Sequence, residues 1–584
     1  MPLLFISVSW ETYDPINIVS SSVLILLSIL LLTNQKNLDF HKSLFLLIPF
    51  SILILYFLFG LINNQNLHTI IAGGYQRNFG VATFLALALL FLISTKLEID
   101  LRKFTDSLLV TLIIANIYGY LQLINKDPLP WSGAHDGITL TLGNPNFAGA
   151  FLGILGCIPI VKFFESKSAY YKIFLMLVYI STIYLGFQTK ALQSQILIFF
   201  GTLITVNVIM YNKKGSKGRF IQGFSLTSIV SCVIAIVLIF FTNYLSNFKS
   251  MIFTETSIPQ RLDYWRIGFK IFLNNMLTGV GPDEYHRYSA IFRNSEQVKR
   301  DGYMAIPDRA HNVFIDHFAN GGIFIGFLWI IFVFYVSFCA LKIIVNPSNI
   351  NRFYAAPLIS IWFLYILQSL ISPDQIILAA IGFLSGGLIV GIHLRLKNQN
   401  INQVKSNKDL NLVGKILLST LLILTLLFTG KSLWYDTQAK NIITGELNNQ
   451  LKIKEIINSR FATAKTLEII AINHIKINSS CEFIDMVASE LLERDDRSAQ
   501  AWFFKAICAN REGNAGLALN QVQKSLEFDP LNVTYLLGKA ELEIKLQKFE
   551  GAKNTIDRIF SINPSDKDVI KLNLLLEKEL YSGR

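Results

Sequence analysis

Apolar runs about 20 residues long fill most of the first 430 positions, and each is long enough to cross roughly 30 Å of hydrocarbon as a helix. About twelve such runs can be read. They lie near 16–33, 43–62, 79–95, 107–124, 147–165, 172–188, 192–210, 223–243, 319–341, 354–371, 375–393 and 413–430. Only 16% of the 584 residues are charged, against about 25% for a soluble chain. That excludes one large soluble enzyme, a disordered chain and a nucleic-acid-binding protein of ordinary composition. The 45 Phe fit lipid-facing helices. The first fifteen residues hold no Lys or Arg, so they do not resemble the charged start of a cleaved signal peptide. The fold expected is all-α. It has a polytopic membrane bundle over 1–434, with a large loop at 244–318, and a separate helical domain over 435–584.

Alternate short loops are basic: Lys36 and Lys42; Lys96, Arg102 and Lys103; Lys162, Lys167 and Lys172; Lys213–Arg219; Lys342 and Arg352; and Arg395–Lys415. These loops account for the net charge of +12, so nucleic acid is not needed to explain it. Basic loops face the cytoplasm. Both termini, the loop with Arg77, the 125–146 loop, the 244–318 loop and the tail then share the outer face. Chemistry there has no cytosolic ATP or nucleotide sugar, so a substrate must arrive already activated, most simply on a lipid. Cys157, Cys232 and Cys339 lie in apolar runs and read as small hydrophobes. Cys481 and Cys508 read as buried free thiols, with pairing in an oxidising compartment as the alternative.

The tail repeats with a period of about 34 residues. Ala506 recurs as Ala540, Ala518 as Ala552, Val522 as Ile556, Leu526 as Phe560 and Pro530 as Pro564. Small residues suit close helix crossings and large ones suit stacking between neighbours. The pattern over about 497–564 looks like tetratricopeptide repeats, with a poorer unit before Asp495 and a capping helix after Pro564.

Short strings stand out in the membrane region. They are Gly-Gly-Tyr-Gln-Arg-Asn-Phe-Gly at 73–80, Gly-Asn-Pro-Asn-Phe-Ala at 143–148 and Thr-Lys-Ala-Leu-Gln-Ser at 189–194. Arg-Leu-Asp-Tyr-Trp follows at 261–265, then Thr-Gly-Val-Gly-Pro at 278–282. Arg-Ala-His-Asn-Val-Phe-Ile-Asp at 309–316 runs into Asn-Gly-Gly. Their order and placement on one face, over most of 60–390, resemble the O-antigen ligase and polymerase family, which includes O-linked oligosaccharyltransferases acting on protein. The resemblance implies a GT-C-like membrane fold and a metal-independent reaction with no cofactor. In that reaction a glycan passes from an undecaprenyl diphosphate donor to an acceptor hydroxyl on lipid A core, a growing polysaccharide or a protein. It also implies an inner-membrane location. The tail suggests an envelope protein as a further partner.

Breaking a glycosyl–diphosphate bond puts charge on the leaving group, which the planar fork of arginine suits. By the resemblance Arg77, Arg261 and Arg309 hold the diphosphate, with a snorkelling interfacial residue as the alternative for Arg77. Lys190 stands where many relatives carry an arginine and supplies charge without the fork. His311 matches the family's histidine and is the candidate catalytic base, since its proton affinity suits neutral pH. Whether it is a base or a phosphate ligand stays open. Asn312, Arg266 and Asn146 are supporting candidates; Asn144–Asn146 also read as a helix cap. His311 and His317 would lie about 240° apart round a helix axis. They therefore do not form a zinc pair, and His317 reads as interfacial. Two other functions are weighed. A transporter would need ionisable groups inside its spans. A non-catalytic scaffold presenting the repeats explains the tail but not the loop arginines and histidine.

Single cysteines at Ser565 and within Lys213–Arg219 test the orientation. An impermeant thiol reagent applied to intact cells should label only the first. Labelling at Ser565 only after lysis would invert the topology.

Overall fold

In the computed structural model the described residues are 44–74, 77–128, 137–211, 257–345, 352–398, 412–445, 450–459 and 462–582, with 20, 22–26, 223 and 228. The expected spans near 16–33 and 223–243 lie largely outside them, as does Cys232. Among the described residues seven helices are long and apolar enough to cross a membrane. They are Leu44–Ile62, Leu101–Leu123, Pro145–Glu165, Ala169–Gln188, Leu192–Met210, Val313–Val345 and Ile376–Lys397. Val81–Ser94 and Ala355–Ser369 are apolar but shorter. The run near 413–430 opens a longer helix, Leu412–Ile443. The protein is a polytopic helical membrane protein.

Local chemistry sets the helix ends. Asn144 accepts from the Asn146 N–H at 2.8 Å with Pro145 in the first turn, so the Asn-Pro-Asn string caps its helix. Gly387 and Gly391, four apart on one face, let their helix press against the backbone carbonyls of Phe91 and Thr95. Small residues at this spacing permit close approach between membrane helices.

Val313–Val345 is broken near its start, where Gly322 has φ 65° and ψ −165°. At that break Ala319 O and Asn320 O accept from Val280 N at 3.1 Å and Gly281 N at 2.9 Å, and Ile323 N donates to Met276 O at 2.8 Å. The Thr-Gly-Val-Gly-Pro and Asn-Gly-Gly strings thus complete each other's backbone hydrogen bonding. A side chain at Gly322 would strike the Leu277 carbonyl.

The tail is a stack of helical hairpins. Ala499–Arg511 and Ala515–Phe528 are followed by Val533–Lys545 and Phe549–Ile562. Ala518, Ala540 and Ala552 are fully buried at the crossings. Ala464–Lys476 and Cys481–Arg494 precede the stack, and Lys567–Ser582 closes it. Cys481 and Cys508 are free thiols. The tail core begins at Tyr435 and Ala439, within the Leu412–Ile443 helix.

The tail is docked on the large loop. Arg293, its side chain fully buried, pairs with Asp529 at 2.5 Å and donates to the carbonyl of Tyr303 at 2.7 Å and of Ala305 at 3.3 Å. Arg287 pairs with Asp495 at 2.7 Å and Asp496 at 2.8 Å. The Arg497 guanidinium lies over the rings of Tyr288 and Phe528. Val298 and Tyr303 join the core of the last repeats. Asp529→Ala would leave the Arg293 charge buried without a counter-ion, a loss of about 3–5 kcal/mol. Amides of 303–306 should then exchange faster with solvent. Unchanged protection would show that the tail does not hold the loop.

Candidate active site

Three loop segments converge where the large loop returns to the membrane. Arg77 follows the 73–74 turn, 308–312 precede the Val313–Val345 helix, and Arg261 with Tyr264 lie one turn apart on the helix Ile258–Asn274. Arg77 Nε donates to Asp308 Oδ2 at 2.5 Å, and its guanidinium lies 5.7 Å from the Phe147 ring centroid. His311 Nε2 is 3.7 Å from the other Asp308 oxygen, and its ring centroid is 5.2 Å from that of Tyr264. His311 itself has φ 53°, which turns its side chain out of the line of the following helix. Such left-handed geometry is uncommon for a residue with a side chain.

The charges are uneven. Asp308 would be raised by loss of water, but Arg77, then His311 and Arg309, hold its carboxyl well below the usual range. Burial lowers His311 below the ordinary histidine value. Arg77 and Arg261 add to that, while Asp308 opposes it. His311 is therefore a neutral imidazole at neutral pH. Arg261 is half-buried, and loss of water alone lowers its pKa, with no carboxylate among the described residues offsetting it. Two cations and a neutral base beside one carboxylate leave room for an anion.

Other expected residues sit elsewhere. Arg309, expected at the diphosphate, turns inward: it is buried, pairs with Asp283 and lies 5.5 Å from the Phe79 ring centroid. Burial works against its charge, but Asp283, Asp316, Asp308 and Asp374 keep it above its ordinary value. Arg266 is taken up by Asp263 at 3.1 Å and by Gln297 at 3.3 Å. Asn312 caps the next helix, accepting from Phe314 N at 3.0 Å, and donates to Leu370 O at 2.9 Å. Lys190 is exposed on a turn with φ 55°. Its neighbours Thr189 and Ser194 pack beside Gly149, on the helix that carries Asn146 and Phe147. No described contact joins Lys190 or the Asn146 side chain to His311.

His317 is a correction. It is buried, not interfacial, and its Nδ1 lies 2.7 Å from the Tyr56 hydroxyl, with the Trp329 ring tilted against it at 4.6 Å between centroids. The helix break near Gly322 folds this part of the helix into the bundle. Among the described residues no group of His, Cys, Asp or Glu has a metal-binding arrangement.

Sequence reasoning missed Asp283 and Asp308. Asp283 accepts from Gly74 N at 2.7 Å while pairing with Arg309, so it joins the 73–80 string to the 309–316 string. The adjacency of Asp308 to Arg309 and its three-residue spacing from His311 were the available signals.

A broken-helix membrane bundle carrying arginines and a histidine on one loop face defines the class, a polytopic membrane protein with a loop-built site. The O-antigen ligase family profile matches residues 165–330, and the chain carries an O-antigen ligase domain there. That domain implies glycan transfer in envelope polysaccharide biosynthesis, with a lipid-linked glycan donor and an acceptor. The match includes Lys190, Arg261, Arg309 and His311, while Arg77 lies before it. No curated protein matches the chain.

If neutral His311 carries the reaction, rate should fall on the acid side only below the ordinary histidine range, about 6.5. Asp308→Asn removes the neighbour that raises His311, so that limb should move to still lower pH. A pH–rate profile of kcat/KM checks the direction, and a shift upward would exclude this electrostatic link.

Proposed function

We propose that this protein transfers a glycan from an undecaprenyl-diphosphate-linked donor to an acceptor hydroxyl, on the outer face of the cytoplasmic membrane. The observation that carries the reading is Arg261, one turn from Tyr264, whose ring centroid lies 5.2 Å from that of His311; among the described residues no carboxylate offsets its charge. A site built this way suits an anion next to a proton acceptor.

In the reaction the acceptor oxygen bonds to the anomeric carbon and the bond from that carbon to the diphosphate oxygen breaks. The lipid diphosphate leaves with that electron pair, and the hydroxyl proton passes to His311 as general base. Arg261 and Arg77 offset the growing charge on the leaving group. Asp308 orients the imidazole and keeps Arg77 in place. Arg309 and Asn312 are positioning residues: Arg309 fixes the strings against each other, and Asn312 caps the helix. No metal or cofactor is assigned a role.

The alternating basic loops support the outward orientation. The 34-residue pattern and hairpin stacking support a tetratricopeptide-like domain over 435–584. A tail that served only as a scaffold for an envelope protein would not need to bury Arg293 against Asp529 in the loop beside the site. That contact favours a tail working with the transferase.

His311→Ala should lower transfer by about 10²–10⁴ with donor binding kept. Arg261→Ala should weaken both donor binding and turnover, and Arg77→Lys should do so less, since charge remains and the fork is lost. The measurement is glycan transfer and lipid-donor binding in membranes with matched protein levels. Full transfer by His311→Ala would eliminate the mechanism.

A further inference from the structure

The helix Ile258–Asn274 has three unlike sides. At about 100° per residue, Ile267 and Ile271 share one side. Both are fully buried, and a side chain at Gly268 would strike Ile315 of the Val313–Val345 helix. Lys270 and Asn274 share a second side, which is exposed and polar. Phe269 and Leu273 form the third, which runs into Met276 and Leu277 in the turn that follows. These four are exposed, Phe269 at 57% and Leu277 at 67%. A contiguous stripe of large apolar side chains left open in this way marks an interaction surface. The stripe and the span beside it lie wholly within the described stretch 257–345.

The stripe continues the outer side of a membrane span. Beyond the break at Gly322, the Val313–Val345 helix leaves Phe324, Phe327, Ile331, Phe334 and Phe338 exposed. On a helix long enough to cross the bilayer, such a side faces lipid chains. Two contacts fasten the stripe to the start of that side. Ile323 N donates to Met276 O at 2.8 Å. Phe272 meets Phe318 edge-on at 5.2 Å, and Phe318 meets Phe327 edge-on at 5.7 Å. The height also agrees. From Phe324 to Lys342 the helix rises about 27 Å, close to the roughly 30 Å of hydrocarbon. Lys342 stands over the Phe338 ring at 5.2 Å, where a lysine reaches for the headgroups. Phe324 then stands at the opposite edge of the hydrocarbon, and the 269–277 stripe stands at that edge with it. Lys270 and Asn274, on the adjoining polar side, suit the headgroup layer.

We infer that the second half of this helix docks on the bilayer itself, with Phe269, Leu273, Met276 and Leu277 among the acyl chains of the leaflet that borders the large loop. The inference needs only the spanning helices and does not rest on the transfer reading. It gives the loop a fixed height. From Arg261 to Phe269 the same helix rises about 12 Å, so the Arg261 and Tyr264 end is held within reach of lipid headgroups. Lifting it away would expose four apolar side chains to water.

The test uses the full chain with its five native Cys replaced by Ala. One nitroxide label is placed at Phe269→Cys, Leu273→Cys or Leu277→Cys, in vesicles of phosphatidylethanolamine and phosphatidylglycerol. Oxygen, which concentrates among acyl chains, and a water-soluble nickel chelate each relax the label on contact. Phe327→Cys is the lipid reference. Lys571→Cys, exposed on the closing helix of the tail, is the water reference. All three stripe positions should favour oxygen over nickel several-fold more than Lys571→Cys does, approaching Phe327→Cys. Lys270→Cys should meet more nickel than its neighbour Phe269→Cys. Nickel contact along the stripe equal to that at Lys571→Cys overturns the inference. Poor access of both reagents overturns it too, because a protein segment or a second copy would then cover the stripe. Leu277 lies past the end of the helix, so Leu277→Cys keeps the test usable if a label within the helix disturbs folding. The measurement needs no glycan donor, so its outcome is independent of whether transfer occurs.

Discussion

The buried pair of Arg309 and Asp283 is the contact on which the outer part of this structure depends. Asp283 also accepts from the backbone of the 73–80 turn, and Arg309 is the near counter-charge of Asp316 and Asp374. Burying several carboxylates is tolerable only if a cation is buried with them. Arg309 therefore fixes the 73–80, 281–284 and 309–316 segments in one arrangement. Asp308, just before it, and His311, two residues after it, then face Arg77 and Tyr264. One short segment thus sends an arginine inward to packing and turns a carboxylate and a histidine toward the candidate site.

The helix break near Gly322 complements that pair. Opening the first turns of a membrane helix frees carbonyls that must find donors away from water. The 276–281 backbone provides and receives those bonds, so the break is also the anchor of the large loop. From there the loop runs outward to Arg293, whose guanidinium holds the carbonyls of 303 and 305 and the carboxylate of Asp529. The tail is thus continuous with the site through a chain of buried polar contacts. Such contacts are costly to leave unpaired, which is why the two regions dock rather than hang from a linker.

Much of the architecture was legible from sequence because its causes are local. Apolar runs of span length give helices wherever they occur, and a 34-residue recurrence of small and large residues gives hairpins that stack. Asn144-Pro145-Asn146 announces its own cap. His311, Arg77 and Arg261 stand out as candidates in the sequence through strings whose order resembles a known family.

What the strings did not contain was partner choice. Arg77, Arg261, Arg266 and Arg309 look alike in sequence, yet Arg309 and Arg266 are consumed by Asp283 and Asp263, while among the described residues no carboxylate offsets Arg261. Those partners come from segments brought together by the helix break and the loop's return, so no local spacing encodes them. The burial of His317 has the same origin. Sequence alone determined which segments are helices and which residue types stand in the loops between them. Tertiary structure decided which charges are neutralised and which remain available, because burial and counter-ions act through space rather than along the chain.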